Sequence, residues 1–206
     1  MPSPTARKAY HHGDLREAAL AAAETLVDSE GSEALTLREL AKKLGVSHRA
    51  LYRYFADREA LLDEVAVQAM RAMHDAMTAA ADAVTGSRTS NITARARVEA
   101  AVDAYIRFAF ERPRAYAHMM HAGITKKAAS QPLRDAGRAF GITFTTLYAA
   151  AYPEVSPANE AAITIWGTVH GLVDLYLAGT LRAKNRDVAR AYIARLALTP
   201  LRRGGS

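Results

Sequence analysis

The sequence predicts an all-α protein: three short helices, a long fourth helix, and a C-terminal helical bundle, about nine helices in all. Three observations predict it. Half of the residues are apolar, enough for a sizeable core. The composition is rich in alanine, and only 7% of residues are aromatic, which favours helix over strand. Apolar residues recur at helical spacing, and no segment shows convincing period-2 alternation.

Each element is set by its start and stop signals. Residues 1–12 read as a flexible arm with two prolines, and Arg7, Lys8, His11 and His12 near its end. Asp14, with Glu17 three residues on, has the pattern of an N-cap and its capping-box partner. Leu15, Ala18, Ala22 and Leu26 keep helical spacing up to Gly31, which stops the helix. Thr36 and Glu39 repeat the capping box and open a short helix to Leu44, ended by Gly45. Ser47 starts a third helix that reaches about Phe55, and Asp57 caps a fourth running to about Val84. Residues 85–91 are a loop by composition, and further helices come near 93–111, 113–122, 130–151, 157–181 and 186–197. Pro113 suits a first helical turn, and Ser156-Pro157 reads as an N-cap before a proline at the first helical position. The expected domains are 13–60 and 61–200, with a disordered tail at 201–206.

Bulk properties exclude several classes. No cysteine is present, so disulfides, thiolate catalysis and zinc–thiolate sites are all out. Residues 1–13 carry no signal-peptide pattern, and no stretch approaches the ~18–20 apolar residues of a membrane span. A soluble, cytoplasmic protein with no membrane partner is expected. The net charge of +6 is uninformative by itself, because residues 1–60 hold nine basic and nine acidic side chains. The excess sits beyond residue 181, where Arg182, Lys184, Arg186, Arg190, Arg195, Arg202 and Arg203 face only Asp187.

The informative segment is 36–55. A helix-turn-helix needs two short helices packed steeply across a tight turn. Ala41 provides a small residue at the contact, and Gly45 can take a positive φ at the turn. Leu37, Leu40, Leu44, Val46, Leu51 and Phe55 have the spacing to pin both helices to a third. With Ala41, Gly45 and Leu51 on the buried face, His48, Arg49, Tyr52 and Arg53 must point outward, able to meet base edges and phosphates. Arg38, Lys42 and Lys43 then sit on the preceding helix, which crosses the DNA backbone in such motifs. The helix starts at Thr36 and Ser47 offer backbone N–H groups suited to phosphate.

This segment, with Leu44-Gly-Val-Ser47, Leu51-Tyr-Arg-Tyr-Phe55 and Asp57-Arg-Glu-Ala-Leu-Leu62, resembles the DNA-binding domain of the TetR family of bacterial repressors over residues 10–65. The resemblance implies that the helix beginning at Ser47 enters the major groove. It also implies that Tyr52 and Tyr54 contact the DNA backbone and that Arg58 reaches a phosphate. Tyr10–Arg16, Phe108–Pro113 and the Trp166-Gly-Thr-Val-His-Gly171 motif resemble one group within that family. The function implied by the resemblance is that of a regulator, not an enzyme: a homodimer on palindromic operator DNA, released by a small-molecule effector, with no cofactor or metal.

The sensing half is only located by sequence. Tyr105, Phe108, Tyr116, Met119, Met120, Phe140, Phe144 and Tyr148 have helical spacing and belong first to the core; all but Tyr148, with Trp166 and His170, are also the candidate walls of an effector pocket. Gly167, Gly171 and Ala178 on the eighth helix, with Val188, Tyr192 and Leu196 on the ninth, are the candidate dimer interface. His118 and His121 have metal-binding spacing, but no carboxylate or cysteine nearby completes a site. Two rival readings remain open: an effector-independent DNA-binding protein, and an all-helical enzyme, for which no catalytic constellation is found. For Arg7, Lys8, His11 and His12, a disordered tail and a minor-groove or phosphate contact on DNA stand even.

Overall fold

A computed structural model describes residues 12–87, 90–122 and 129–202. Nine α-helices run through them: α1 His12–Glu30, α2 Leu37–Leu44, α3 His48–Leu51, α4 Arg58–Asp82, α5 Asn91–Glu111, α6 Pro113–Met120, α7 Gln131–Ala151, α8 Ala158–Leu177 and α9 Arg186–Arg202. A short 3-10 turn, Ser32–Ala34, joins α1 to α2. No strand occurs among the described residues. The expected arm lies outside the described residues up to position 11, and His12 already belongs to α1. Asp14 is therefore inside the first turn, not at the cap. At the other end α9 continues through Arg202, so the first two residues of the expected tail are helical, and 203–206 lie outside the described residues.

The helix signals in the DNA-side half are met by geometry. Gly31 (φ 94°) ends α1, and Gly45 (φ 67°) ends α2 in the left-handed region. Thr36 Oγ1 accepts the Glu39 N–H at 3.1 Å, and Asp57 Oδ1 accepts the Ala60 N–H at 2.8 Å. The buried face of α1 is Leu15, Ala19, Ala23 and Val27; Ala18, Ala22 and Leu26 are only half-buried beside it. The apolar stripe expected from spacing is thus rotated by about one position. Pro157 occupies the cap of α8 rather than its first helical position.

Two hydrophobic cores are present, and they part inside α4. Leu61, Leu62 and Val65 belong to the first, which joins them to α1, α2 and the Leu51–Phe55 segment. From Ala66 onward α4 belongs to the second, made with α5 to α9. The end of α4 and the whole of α5 share that second core and pack on one another. At ~1.5 Å per residue, the 25 residues of α4 make a strut of about 37 Å.

Candidate DNA-reading surface and ligand cavity

The turn between α2 and α3 is built as the motif requires. Leu37, Leu40, Ala41, Leu51 and Phe55 are buried, while Leu44 and Val46 are half-buried against them. Gly45 is exposed, so its part in the motif is the backbone turn and not the buried contact expected of it. His48, Arg49, Tyr52 and Arg53 all face outward, as do Thr36, Arg38, Lys42, Lys43 and Ser47. The Tyr52 ring meets His48 edge-on at 5.0 Å, which fixes both on one exposed ridge. The α3 helix is shorter than expected. It stops at Leu51, whose carbonyl accepts the N–H of both Tyr54 and Phe55, so Tyr52 and Arg53 stand on a turn rather than on a helix.

Arg58 is committed elsewhere. Its Nε donates to the Leu35 carbonyl at 2.7 Å and its Nη2 to the Ser32 carbonyl at 2.8 Å, while Nη1 pairs with Glu59. The guanidinium thus bonds the Leu35 carbonyl, adds a second donor to the Ser32 carbonyl that already accepts the Leu35 N–H, and holds α4 against the 3-10 turn. Tyr54 is half-buried on the DNA-side core. Arg16 ties the same unit together, bonding Glu64 at 2.6 Å with its guanidinium 5.8 Å from the Phe55 ring centre.

The C-terminal half holds a partly open cavity of about 340 Å³. Of the residues proposed from sequence, Met119, Met120, Phe140, Phe144 and Trp166 line it. Tyr105 borders only a small adjoining void, and Phe108 lies on a different groove. Tyr116 and His170 stand behind the wall in a hydrogen-bonded cluster. The Tyr116 hydroxyl is 2.6 Å from His170 Nδ1 and 3.0 Å from the Tyr105 hydroxyl. His170 Nε2 lies 3.4 Å from Asp174, so an Nε2–H turned to that carboxylate leaves Nδ1 to accept from Tyr116. Trp166 stacks on His170 at 5.4 Å, and its buried indole N–H faces the Tyr105 hydroxyl without a full hydrogen bond.

Sequence reasoning missed Met70 and Met73 of α4 and Leu133, Arg134, Gly137 and Gly141 of α7 as lining residues. A usable signal existed: Gly137 and Gly141, four apart, alternate with Phe140 and Phe144 and leave room on one face of α7. His118 places its Nε2 2.9 Å from the Leu62 carbonyl of α4. No cluster of metal-binding side chains occurs among the described residues.

On α9, Ala189, Ile193 and Ala197 are buried inside the subunit. Val188 and Tyr192, on another face, are 47% and 41% exposed. On α8 Gly167, Gly171 and Ala178 are exposed together with Ile163 and Leu175, and a Cβ on either glycine would touch nothing. Leu196 is half-buried.

A helix-turn-helix at one end of a strut and a cavity-bearing helical bundle at the other define a one-component regulator fold. Residues 19–65 match the model of bacterial regulatory proteins of the tetR family, and residues 98–198 match the tetracyclin repressor-like C-terminal domain. The chain belongs to the TetR family, whose members are transcription regulators rather than enzymes. It is 40% identical over 60 residues to the class D tetracycline repressor protein of Escherichia coli, 29% of this chain and 28% of that one. A Rhodococcus sp. RHA1 protein of unknown function is 29% identical with a TM-score of 0.78, covering 94% of this chain and 98% of that one. A tetR-family regulatory protein of known structure from Rhodococcus RHA1 shares the fold at 20% identity and a TM-score of 0.66, over 90% and 95% of the two chains. No helix among the described residues is long and apolar enough to cross a membrane.

Proposed function

We propose that this chain is a homodimeric, cytoplasmic repressor that binds palindromic operator DNA and is released from it by a small molecule. The observation that carries this reading is the double membership of α4. Leu61, Leu62 and Val65 pack in the DNA-side core, and Met70 and Met73 of the same helix line the cavity. A ligand that displaces those methionines acts directly on the strut that carries the recognition element. An effector that prefers the non-binding geometry by ~1–3 kcal/mol weakens DNA binding 5–150-fold.

Residues 13–60 serve as the DNA-binding unit in this reading, and 61–200 sense and dimerise. Arg49, Tyr52, Arg53 and His48 meet base edges, while Thr36, Arg38, Lys42, Ser47 and Tyr54 meet the backbone. Arg58 acts as the brace of the unit. The exposed α8–α9 face, with Gly167, Gly171, Ala178, Val188, Tyr192 and Leu196, joins two copies so that their recognition elements lie about 34–36 Å apart, one DNA turn. Trp166 to Gly171 marks the group within the family. The cavity is what favours a ligand-responsive regulator over an effector-independent one.

The test is selection of genomic fragments by the purified protein, then anisotropy titration of the recovered site. A two-fold symmetric site bound by one dimer is expected. Recovery of no preferred sequence, with affinity set by salt alone, would defeat the reading.

A further inference from the structure

The cavity wall is apolar apart from two side chains, Thr145 and Arg134. No carboxylate among the described residues lines it, so a cationic ligand finds no counter-charge there. Arg134 sits on the exposed first turn of α7, and its acceptors among the described residues are neutral. Its Nε and Nη2 donate to Gln131 Oε1 at 3.2 and 2.7 Å, and its Nη1 donates to the Ala129 carbonyl. Those bonds use three of the five guanidinium N–H groups and leave one on each of Nη1 and Nη2. A fixed guanidinium with two N–H groups to spare is suited to a carboxylate. The apolar part has room for on the order of ten non-hydrogen atoms at about 30 Å³ each. Its walls include Met70, Met73, Met119 and Met120, thioethers that adapt to chains and rings alike.

We propose that this cavity takes a small amphipathic monocarboxylate, aliphatic or aromatic, with its apolar body among the methionines and Phe140 and its carboxylate on Arg134. The proposal rests on the reading of the cavity as the effector site. It goes further by assigning the charge of the ligand and the residue that selects it.

Trp166 lines the cavity and is the single tryptophan of the chain, so its emission reports occupancy directly. The full chain is titrated with octanoate and 4-phenylbutyrate, and with the alcohols of the same two skeletons. At least one acid is expected to shift the emission saturably and to bind about tenfold or more tighter than its alcohol. In Arg134→Gln that acid should fall to the level of its alcohol, whose own binding is unchanged. In Gly141→Leu, which adds a side chain at an unobstructed wall position, acid and alcohol should weaken together. Acids binding no better than alcohols, or an Arg134→Gln variant that keeps the preference, overturns the carboxylate assignment while leaving a ligand cavity. If neither class shifts the emission of the folded protein, the cavity reading fails with it.

Discussion

Arg112 closes on Asp28 across the seam between the two cores, with its Nη2 2.6 Å and its Nε 2.8 Å from Asp28 Oδ2. Asp28 lies in the last turn of α1, where the helix dipole disfavours a negative charge, and its Oδ1 is buried with no hydrogen bond. Arg112 stands at the α5–α6 corner with its guanidinium 5.4 Å from the Phe108 ring centre. One guanidinium therefore ties the end of a DNA-side helix to the start of α6. That helix carries Met119 and Met120 into the cavity wall and, between Arg112 and them, His118 onto the Leu62 carbonyl of α4.

Removing Arg112 should loosen this seam. Glu24, one turn before Asp28, has its carboxyl raised chiefly by burial, with Arg112 pulling it down and Asp28 pushing it up. Arg112→Ala thus leaves the two carboxylates without their paired guanidinium, and Arg114, which reaches only the Asp28 carbonyl, as the cation at that helix end. A loss of about 1 kcal/mol near pH 7 is expected for this half-exposed pair. Urea unfolding of the Asp28→Asn, Arg112→Ala and double variants measures the coupling. Additive single effects would mean the pair contributes nothing.

Arg58 and Arg49 should fail in different ways. Arg49 is exposed on the recognition element, so Arg49→Ala should cost ~1–3 kcal/mol on specific DNA at unchanged thermal stability. Arg58→Ala strands the Leu35 carbonyl at a partly buried site and leaves the Ser32 carbonyl with the Leu35 N–H alone, and should cost ~1–3 kcal/mol of folding stability. The salt dependence of DNA binding per folded dimer should stay as in the parent. A reduced salt slope in Arg58→Ala would show that the residue meets a phosphate after all.

The motif was legible because its signals are local. Thr36 caps three residues on, Gly45 supplies the positive φ, and apolar spacing fixes which residues are buried. The end of α3 and the bonds of Arg58 to the 3-10 turn were not legible, because both depend on carbonyls that only the folded chain brings near. The same holds for the sensing half. Tyr116 and His170 carry the helical spacing of wall residues, yet they meet each other across 54 positions and leave the wall to Met70 and Arg134. Periodicity tells which face of a helix is apolar, but not whether that face meets a neighbour or a void.

The α8–α9 face gives a clean test of assembly. Gly171→Arg places a long charged side chain where nothing within the subunit stands in the way, and glycine is a poor helix former, so the subunit itself should lose no stability. Light scattering should show the variant as a monomer at concentrations where the parent is a dimer. Its DNA affinity should drop with it, since two half-sites are no longer linked. A variant that remains dimeric would place the interface elsewhere.

Tyr105 and Tyr116 make folding sensitive to alkali. Burial raises both phenols above the usual tyrosine range; their mutual hydrogen bond partly opposes this at Tyr105, while Tyr105 and Asp174 push Tyr116 further up. The folded state therefore keeps protons that the unfolded chain releases near pH 10. Their contribution to stability is accordingly full below about pH 10 and is lost as pH rises above it. The loss amounts to about 1.4 kcal/mol per pH unit for each tyrosine. Replacing both by phenylalanine removes the titrating groups along with their hydrogen bonds. The variant should be less stable at pH 8, yet its urea midpoint should fall less steeply than the parent's above pH 10. Parallel slopes in the two proteins would show that neither phenol retains its proton on folding.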